Sequence, residues 1–264
     1  MNAANATWDL CLNKAYGDGG YENSSRVFGL AGWDYALPVG RVGTLRSGTA
    51  VFGALNDPST PAFGWSVEVA LPLATLAQNT SATFPPAAGD VWRINFSRVE
   101  YAVDVINGQY KKASSCQSCP TPGAPNEDNW VWSPQGAIAM HLPEKWGILQ
   151  FARGPVNATP AMFYKEWPVR AIAAEIYYAQ HAYAAANNGA FTSETAALGP
   201  FVSHPFVLDG TCTAGLPLVI HVGLDAKGNP RFNVTVPPVP AGDAVLSATI
   251  QDDRLLTLSS KRLS

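Results

Sequence analysis

The period of the hydrophobic pattern changes once along this chain, and that change constrains the fold more than any other feature. Up to about residue 154, apolar and polar residues alternate over short stretches such as "GWSVEVALPL", and Gly and Pro separate the stretches. This pattern is typical of strands and turns. From Pro168 the period rises to about 3.6, which is helical. We therefore expect a strand-rich unit over 1–154 and a second unit over 160–264, joined by "ARGPVNATPAM".

The second unit is predicted to hold one long helix over about 168–187. Pro168 suits a first helical turn and Gly189 suits the position after a helix end. One stripe is apolar and consists of Val169, Ile172, Ala173, Ile176 and Tyr183, with Ala179 beside it. The stretches "PLVIHVGL", "RFNVTV", "AVLSATIQ" and "RLLTLS" follow, with "DAKGNP" and "QDDR" as turns. The sequence thus predicts a small α+β unit.

The first unit contains one pronounced strand pattern, "GDVWRINFSRVEY". If this stretch is a single strand, Val91, Arg93, Asn95, Ser97 and Val99 share one face, and Trp92, Ile94, Phe96 and Arg98 share the other. A loop without regular pattern is expected from about Val103 to Glu127. "NWVWS" and "WGILQFA" are predicted as the closing strands.

Composition removes several classes of partner. The formal net charge of −3 disfavours nucleic acid, whose phosphates need a basic protein face. No apolar run is long enough to span a bilayer. Six N-x-[ST] triplets favour an extracellular or cell-surface protein. The opening "MNAANATWDLCL" does not have the character of a signal peptide, and we expect the chain to begin inside a domain.

Cys116 and Cys119 form one C-x-x-C in a Pro-rich stretch. A single such pair supplies half of a zinc site, and no second pair follows at the required spacing. A local disulfide and two free thiols are both open, and both are favoured over a metal site.

Five stretches in order resemble the family 9 carbohydrate-binding modules: "NATWDLCLNKAYGDGG", "GWSVEVALPL", "GDVWRINFSRVEY", "DNWVWSPQG" and "MHLPEKWGILQF". The resemblance covers about residues 2–152. It implies an antiparallel β-sandwich that binds an oligosaccharide or polysaccharide, and it makes structural calcium an expectation. Members of the family have further strands before "WDL", so the resemblance implies a sandwich that is incomplete at its N-terminus. "YYAQHAYAAANNGAFTSETAALG" is similar to the helix and following turn of pilin-like domains.

The candidate sugar site centres on "EDNWVWS". A sugar presents an apolar C–H face and a rim of hydroxyls, so it needs flat rings and planar polar groups. Trp130 and Trp132 would share a strand face as stacking rings, and Trp132 is favoured because the family places a Trp three residues after an Asn such as Asn129. Glu127, Asp128 and Asn129 would bind hydroxyls. In the alternative, one or both tryptophans belong to the core.

Two further candidates lie on the long strand pattern. Arg98 and Glu100 would bind hydroxyls, since Arg can present a two-pronged donor. In the alternative, Arg98 forms a structural ion pair with a carboxylate across strands.

Non-catalytic carbohydrate binding is therefore the predicted function. The alternative is a structural or interaction protein that keeps the sandwich without a working sugar site. Glycoside hydrolysis is not expected, because no motif pairs two carboxylates as that reaction requires. A catalytic domain in a longer parent protein is a third possibility.

Overall fold

The computed structural model describes residues 1–6, 12, 15–18, 46–71, 73, 82–113, 127–137, 139–155 and 157–263. The chain divides into two compact units, Met1–Pro160 and Ala161–Ser264. The division lies at the C-terminal side of the linker expected from the sequence. Mainly antiparallel strands with one long helix confirm the predicted mainly-β class.

The first unit contains eight described strands. They are β1 (Arg46–Phe52), β2 (Gly64–Ala70), β3 (Val91–Ile94), β4 (Ser97–Tyr101), β5 (Val103–Ile106), β6 (Gln109–Lys112), β7 (Glu127–Val131) and β8 (Gly147–Gln150). They form four antiparallel pairs: β1 with β2, β3 with β8, β4 with β7, and β5 with β6. Short 3₁₀ helices occur at Tyr16–Asp18 and Pro143–Lys145. Closure of these ladders into a sandwich stays a prediction.

The stretch predicted as one strand over residues 91–101 is two strands. β3 ends at Ile94 and pairs with β8, whereas β4 begins at Ser97 and pairs with β7. The chain therefore changes its hydrogen-bonding partner between Ile94 and Ser97, and the uninterrupted alternation of the sequence does not reveal this change.

The predicted loop from Val103 contains a β-hairpin. β5 and β6 pair in register, with Ile106 opposite Gln109, and Asn107 and Gly108 form the turn. Both turn residues have positive φ, 52° and 72°. Asn-Gly suits this two-residue turn because both of its central positions need left-handed backbone. The prediction of an irregular loop was wrong for this part.

No apolar side chain described in the first unit is buried: those of β3 and β8 are half-buried, and many others are exposed. Gln135 is the one buried residue among the described residues of this unit. Phe63 is 87% exposed and stacks on Phe52 with ring centroids 5.8 Å apart. The predicted first strand, over "ATWDLCL", lies outside the described residues, so the expected open edge there stays a prediction.

The second unit is one helix on one sheet. The helix α1 spans Trp167–Ala186. The strands are β9 (Val219–Leu224), β10 (Pro230–Ala241), β11 (Ala244–Gln251) and β12 (Leu256–Arg262), and their order in the antiparallel sheet is β12-β11-β10-β9. Short 3₁₀ helices at Thr195–Phe201, Pro205–Val207 and Thr211–Thr213 lie between helix and sheet in the chain. The predicted helix and four strands are confirmed.

The core of this unit lies between α1 and the central strands. The predicted stripe supplies Val169, Ile172, Ala173, Ile176 and Ala179, all buried, while Tyr183 packs against them partly buried. The facing strands contribute Phe232, Val234, Val236, Leu246, Ala248 and Ile250. Alternation along β10 and β11 therefore turns one sheet face to the helix and leaves the other face open.

Two contacts fix the chain after the helix. Gly189, at φ 82°, donates its backbone N–H to the Ala184 carbonyl, which is C-terminal capping by a left-handed glycine. The buried Gln180 side chain donates to the Thr192 carbonyl at 2.6 Å and accepts from the Thr192 N–H at 3.1 Å.

Across the described residues, no helix is both long and apolar enough to cross a membrane.

Candidate functional site

The ladder between β4 and β7 assembles the candidate site. Its register places Arg98 opposite Trp130 and Glu100 opposite Asp128. Directly opposed residues of an antiparallel pair share a face. The ladder extends one step further, because the Trp132 N–H donates to the Phe96 carbonyl at 3.0 Å.

We call the set Phe96, Arg98, Glu100, Trp130 and Trp132 the aromatic face. Phe96 was not among the residues predicted for the site. It is 60% exposed, and it could have been found because it alternates with Arg98 along the strand pattern.

Trp130 is the freer of the two tryptophans. It is 65% exposed. Among the described residues, its ring makes no aromatic contact and its indole N–H has no hydrogen-bond partner. A large flat ring thus lies open to solvent at the position facing Arg98.

Trp132 is held by its surroundings. It is 49% exposed, its indole N–H donates to the Ile94 carbonyl at 3.3 Å, and Phe96 meets it edge-on at 5.7 Å. Its ring also covers Gly147, where an added Cβ would lie 2.5 Å from the Trp132 Cζ2. Because Ile94 ends β3 and Gly147 begins β8, the ring joins that ladder to the β4–β7 ladder. Trp132 therefore has a structural role besides any role in binding.

Arg98 and Glu100 form an ion pair, with side chains 60% and 41% exposed. The carboxylate lies on the same strand, two residues away, so the expectation that an ion pair of Arg98 would cross between strands was wrong. Residues two positions apart on a strand lie on the same face of the sheet, so the side chains of Arg98 and Glu100 can meet. An exposed pair contributes about 0–1 kcal/mol to stability. The pair therefore keeps the two charged groups together while the guanidinium stays largely in solvent.

Glu127, Asp128 and Asn129 are the remaining predicted residues, and their side chains lie outside the described residues. Their backbone is in β7, with Glu127 opposite Tyr101 and Asn129 opposite Val99. Asn129 thus occupies the register position between those of Trp130 and Asp128. The ladder brings Arg98, Glu100 and Trp130 together, and it does not place Asn129 at a position facing any of them.

A metal centre is not defined in the described part of the chain, where no group of three or more His, Cys, Asp or Glu side chains is placed to hold an ion. The calcium expected from the resemblance is therefore left without a described ligand set. Cys116 and Cys119 lie outside the described residues, and Cys212 is a free cysteine.

Comparisons with protein-family models, with curated proteins and with solved structures find no match for this chain.

Proposed function

We propose that the aromatic face binds carbohydrate without catalysing a reaction. The observation that carries the proposal is the Trp130 ring, 65% exposed and opposite Arg98 in the β4–β7 register. The sequence resemblance supports the same ligand class, and the N-x-[ST] triplets support a place outside the cell or on its surface.

The chemistry of the aromatic face suits a sugar ring. Phe96, Trp130 and Trp132 supply exposed aromatic surface for the C–H face of a sugar. Arg98 offers several N–H donors in one plane, and Glu100 offers acceptors, so hydroxyl groups at the rim meet both kinds of partner. A cluster of exposed rings bordered by polar groups is typical of a binding surface.

The two tryptophans take different parts in this proposal. Trp130 is the stacking platform, because its ring is free to meet a ligand. Trp132 extends the platform and supports it through its contacts with Phe96, Ile94 and Gly147. This assignment moves the principal stacking role from Trp132, which the family spacing favours, to Trp130.

The test is Trp130→Ala in the full chain, with calorimetric titration of the oligosaccharides that the wild-type protein binds on a glycan array. We expect affinity to fall about thirtyfold, which corresponds to about 2 kcal/mol. The melting curve should stay nearly unchanged, because an exposed ring without described partners contributes within about 0.5 kcal/mol. Phe63→Ala is the matched control, since it removes another exposed aromatic ring of the same unit; its binding should equal wild type.

A wild-type protein that binds no glycan on a broad array contradicts the proposal and favours the alternative of a structural or interaction protein. Unchanged binding in both Trp130→Ala and Trp132→Ala, with sugar binding retained, would place the site elsewhere.

A further inference from the structure

The open face of the second unit's sheet carries a groove of about 540 Å³. Its floor is formed by β9 and β10, and the residues after β11 border it. The volume lies within the range of about 300–1,000 Å³ that is common for small-molecule sites. The groove is distinct from the aromatic face, since all of its lining residues belong to the second unit.

Three polar side chains form a row across the groove. Asn233 in β10 pairs with His221 on one side and with Gln251 on the other. Because Phe232 and Val234 face the helix, Asn233 and its two partners lie on the open face. In the part of the chain that the structure describes, none of these three side chains has a hydrogen-bond partner. The two amides offer both donors and acceptors to a ligand.

Arg231 lies at the edge of the groove between two carboxylates, and the Asp253 carboxylate lines the groove as well. The Arg231 guanidinium bonds Asp252 through Nη1 and Asp225 through Nη2, the latter at 3.1 Å. An anion would meet these carboxylates beside the guanidinium, and a cation would meet the guanidinium beside the carboxylates. A neutral ligand with hydroxyl groups avoids both penalties, because a hydroxyl can donate to a carboxylate and accept from an N–H.

Gly223 marks the place where a ligand would approach. It faces Arg231 in the β9–β10 register, and no register shift interrupts that pairing. Its backbone does not have a positive φ, and a Cβ built on it would meet nothing within 4 Å. Neither backbone conformation nor packing therefore requires glycine here. Glycine within a strand weakens the strand, and it often marks a site of close approach by a ligand or another backbone.

We propose that this groove is a second binding site, for a neutral polyhydroxylated ligand of the size of a small sugar. Asn233, Gln251 and His221 bind its hydroxyl groups, Arg231 and its carboxylates bind the edge of the ligand, and the bare backbone at Gly223 accommodates the body of the ligand. This site does not depend on the carbohydrate site proposed for the aromatic face.

The test is an NMR titration of the full chain with cellobiose, maltose and xylobiose, following the side-chain amide signals of Asn233 and Gln251. The fully deacetylated disaccharide chitobiose, which is cationic, and cellobiouronate, which is anionic, serve as charged probes of similar size and shape. We expect at least one neutral sugar to shift both amides, and the charged probes to shift them less.

Gly223→Val is the blocking variant, because its side chain would enter the groove without a clash inside the protein. We expect affinity to fall at least about tenfold, which a single steric conflict suffices to cause. Gly48→Val is the matched control, since Gly48 is a strand glycine with equally open surroundings in the first unit. Trp130→Ala should leave the shifts of the two amides intact, which separates this site from the aromatic face.

Three results overturn the proposal: no shift with any neutral sugar, shifts of equal size in Gly223→Val, or stronger shifts with a charged probe than with the neutral sugars. Circular dichroism of Gly223→Val should show a melting temperature at or above that of wild type, so that lost binding is not lost folding.

Discussion

Gly147→Ala is expected to destabilise the first unit, although replacing glycine by alanine usually has the opposite effect where the backbone permits it. The new Cβ would lie 2.5 Å from Trp132 Cζ2, and 3.0 Å from both Trp132 Cε2 and Ser133 Cβ. Ordinary carbon–carbon contacts lie near 3.5–4.0 Å. The indole must therefore move by about 1 Å, away from the Ile94 carbonyl to which it donates.

Two opposing effects set the change that Gly147→Ala causes in the free energy of unfolding. Overpacking of this kind costs about 1–3 kcal/mol, and losing the indole hydrogen bond is included in the upper part of that range. Reduced freedom of the unfolded chain offsets about 0.4–1 kcal/mol. The net expectation is a loss of about 1–2 kcal/mol in the free energy of unfolding.

The control is Gly48→Ala. Gly48 is a glycine in β1 with no atom within 4 Å of a built Cβ, and its backbone does not have a positive φ. Only the unfolded-state term acts there, so we expect Gly48→Ala to raise the free energy of unfolding by about 0.4–1 kcal/mol. The two substitutions are chemically identical and should differ in sign.

Urea unfolding measures both free energies, and NMR follows the Trp132 indole N–H, assigned through Trp132→Phe. The indole signal should shift in Gly147→Ala and stay in place in Gly48→Ala. If Gly147→Ala stabilises the protein as much as Gly48→Ala does, with an unmoved indole signal, then Trp132 does not pack on Gly147 and its proposed supporting role is wrong.

Further predictions concern other parts of the chain. Gln180→Leu should cost about 2–5 kcal/mol in urea unfolding followed at 222 nm, because the buried Thr192 N–H and carbonyl would each lose a partner; a loss below about 1 kcal/mol would contradict this. Hydrogen bonds from the Asn229 side chain and backbone hold the pKa of Asp225 below its ordinary value. The contribution of ionised Asp225 to stability is therefore present above about pH 4 and is lost as the pH falls through the lowered pKa. Asp225→Asn should remove that part of the pH dependence of the free energy of unfolding. Gly108→Val should destabilise the β5–β6 turn by about 1–3 kcal/mol, because Gly108 has a φ of 72°; unchanged hydrogen-exchange protection in β5 and β6 would refute it.

Local chemistry made several elements predictable from the sequence. Pro168, Gly189 and the 3.6-residue period gave the helix with an error of one residue at each end. The Asn-Gly turn of the β5–β6 hairpin carries the same kind of local information, because Asn-Gly is a strong signal for a two-residue hairpin turn.

The sequence by itself determined the class of the second unit and the concentration of aromatic residues at Trp130 and Trp132. Only the tertiary structure decided that the strand pattern breaks between Ile94 and Ser97 and that Trp132 covers Gly147. It also decided that the row of His221, Asn233 and Gln251 lies across a groove. The physical reason is the range of the interactions. The hydrophobic period, helix caps and turns depend on neighbours a few residues away in the sequence. Strand register and side-chain exposure depend instead on which distant segment of the chain supplies the pairing strand.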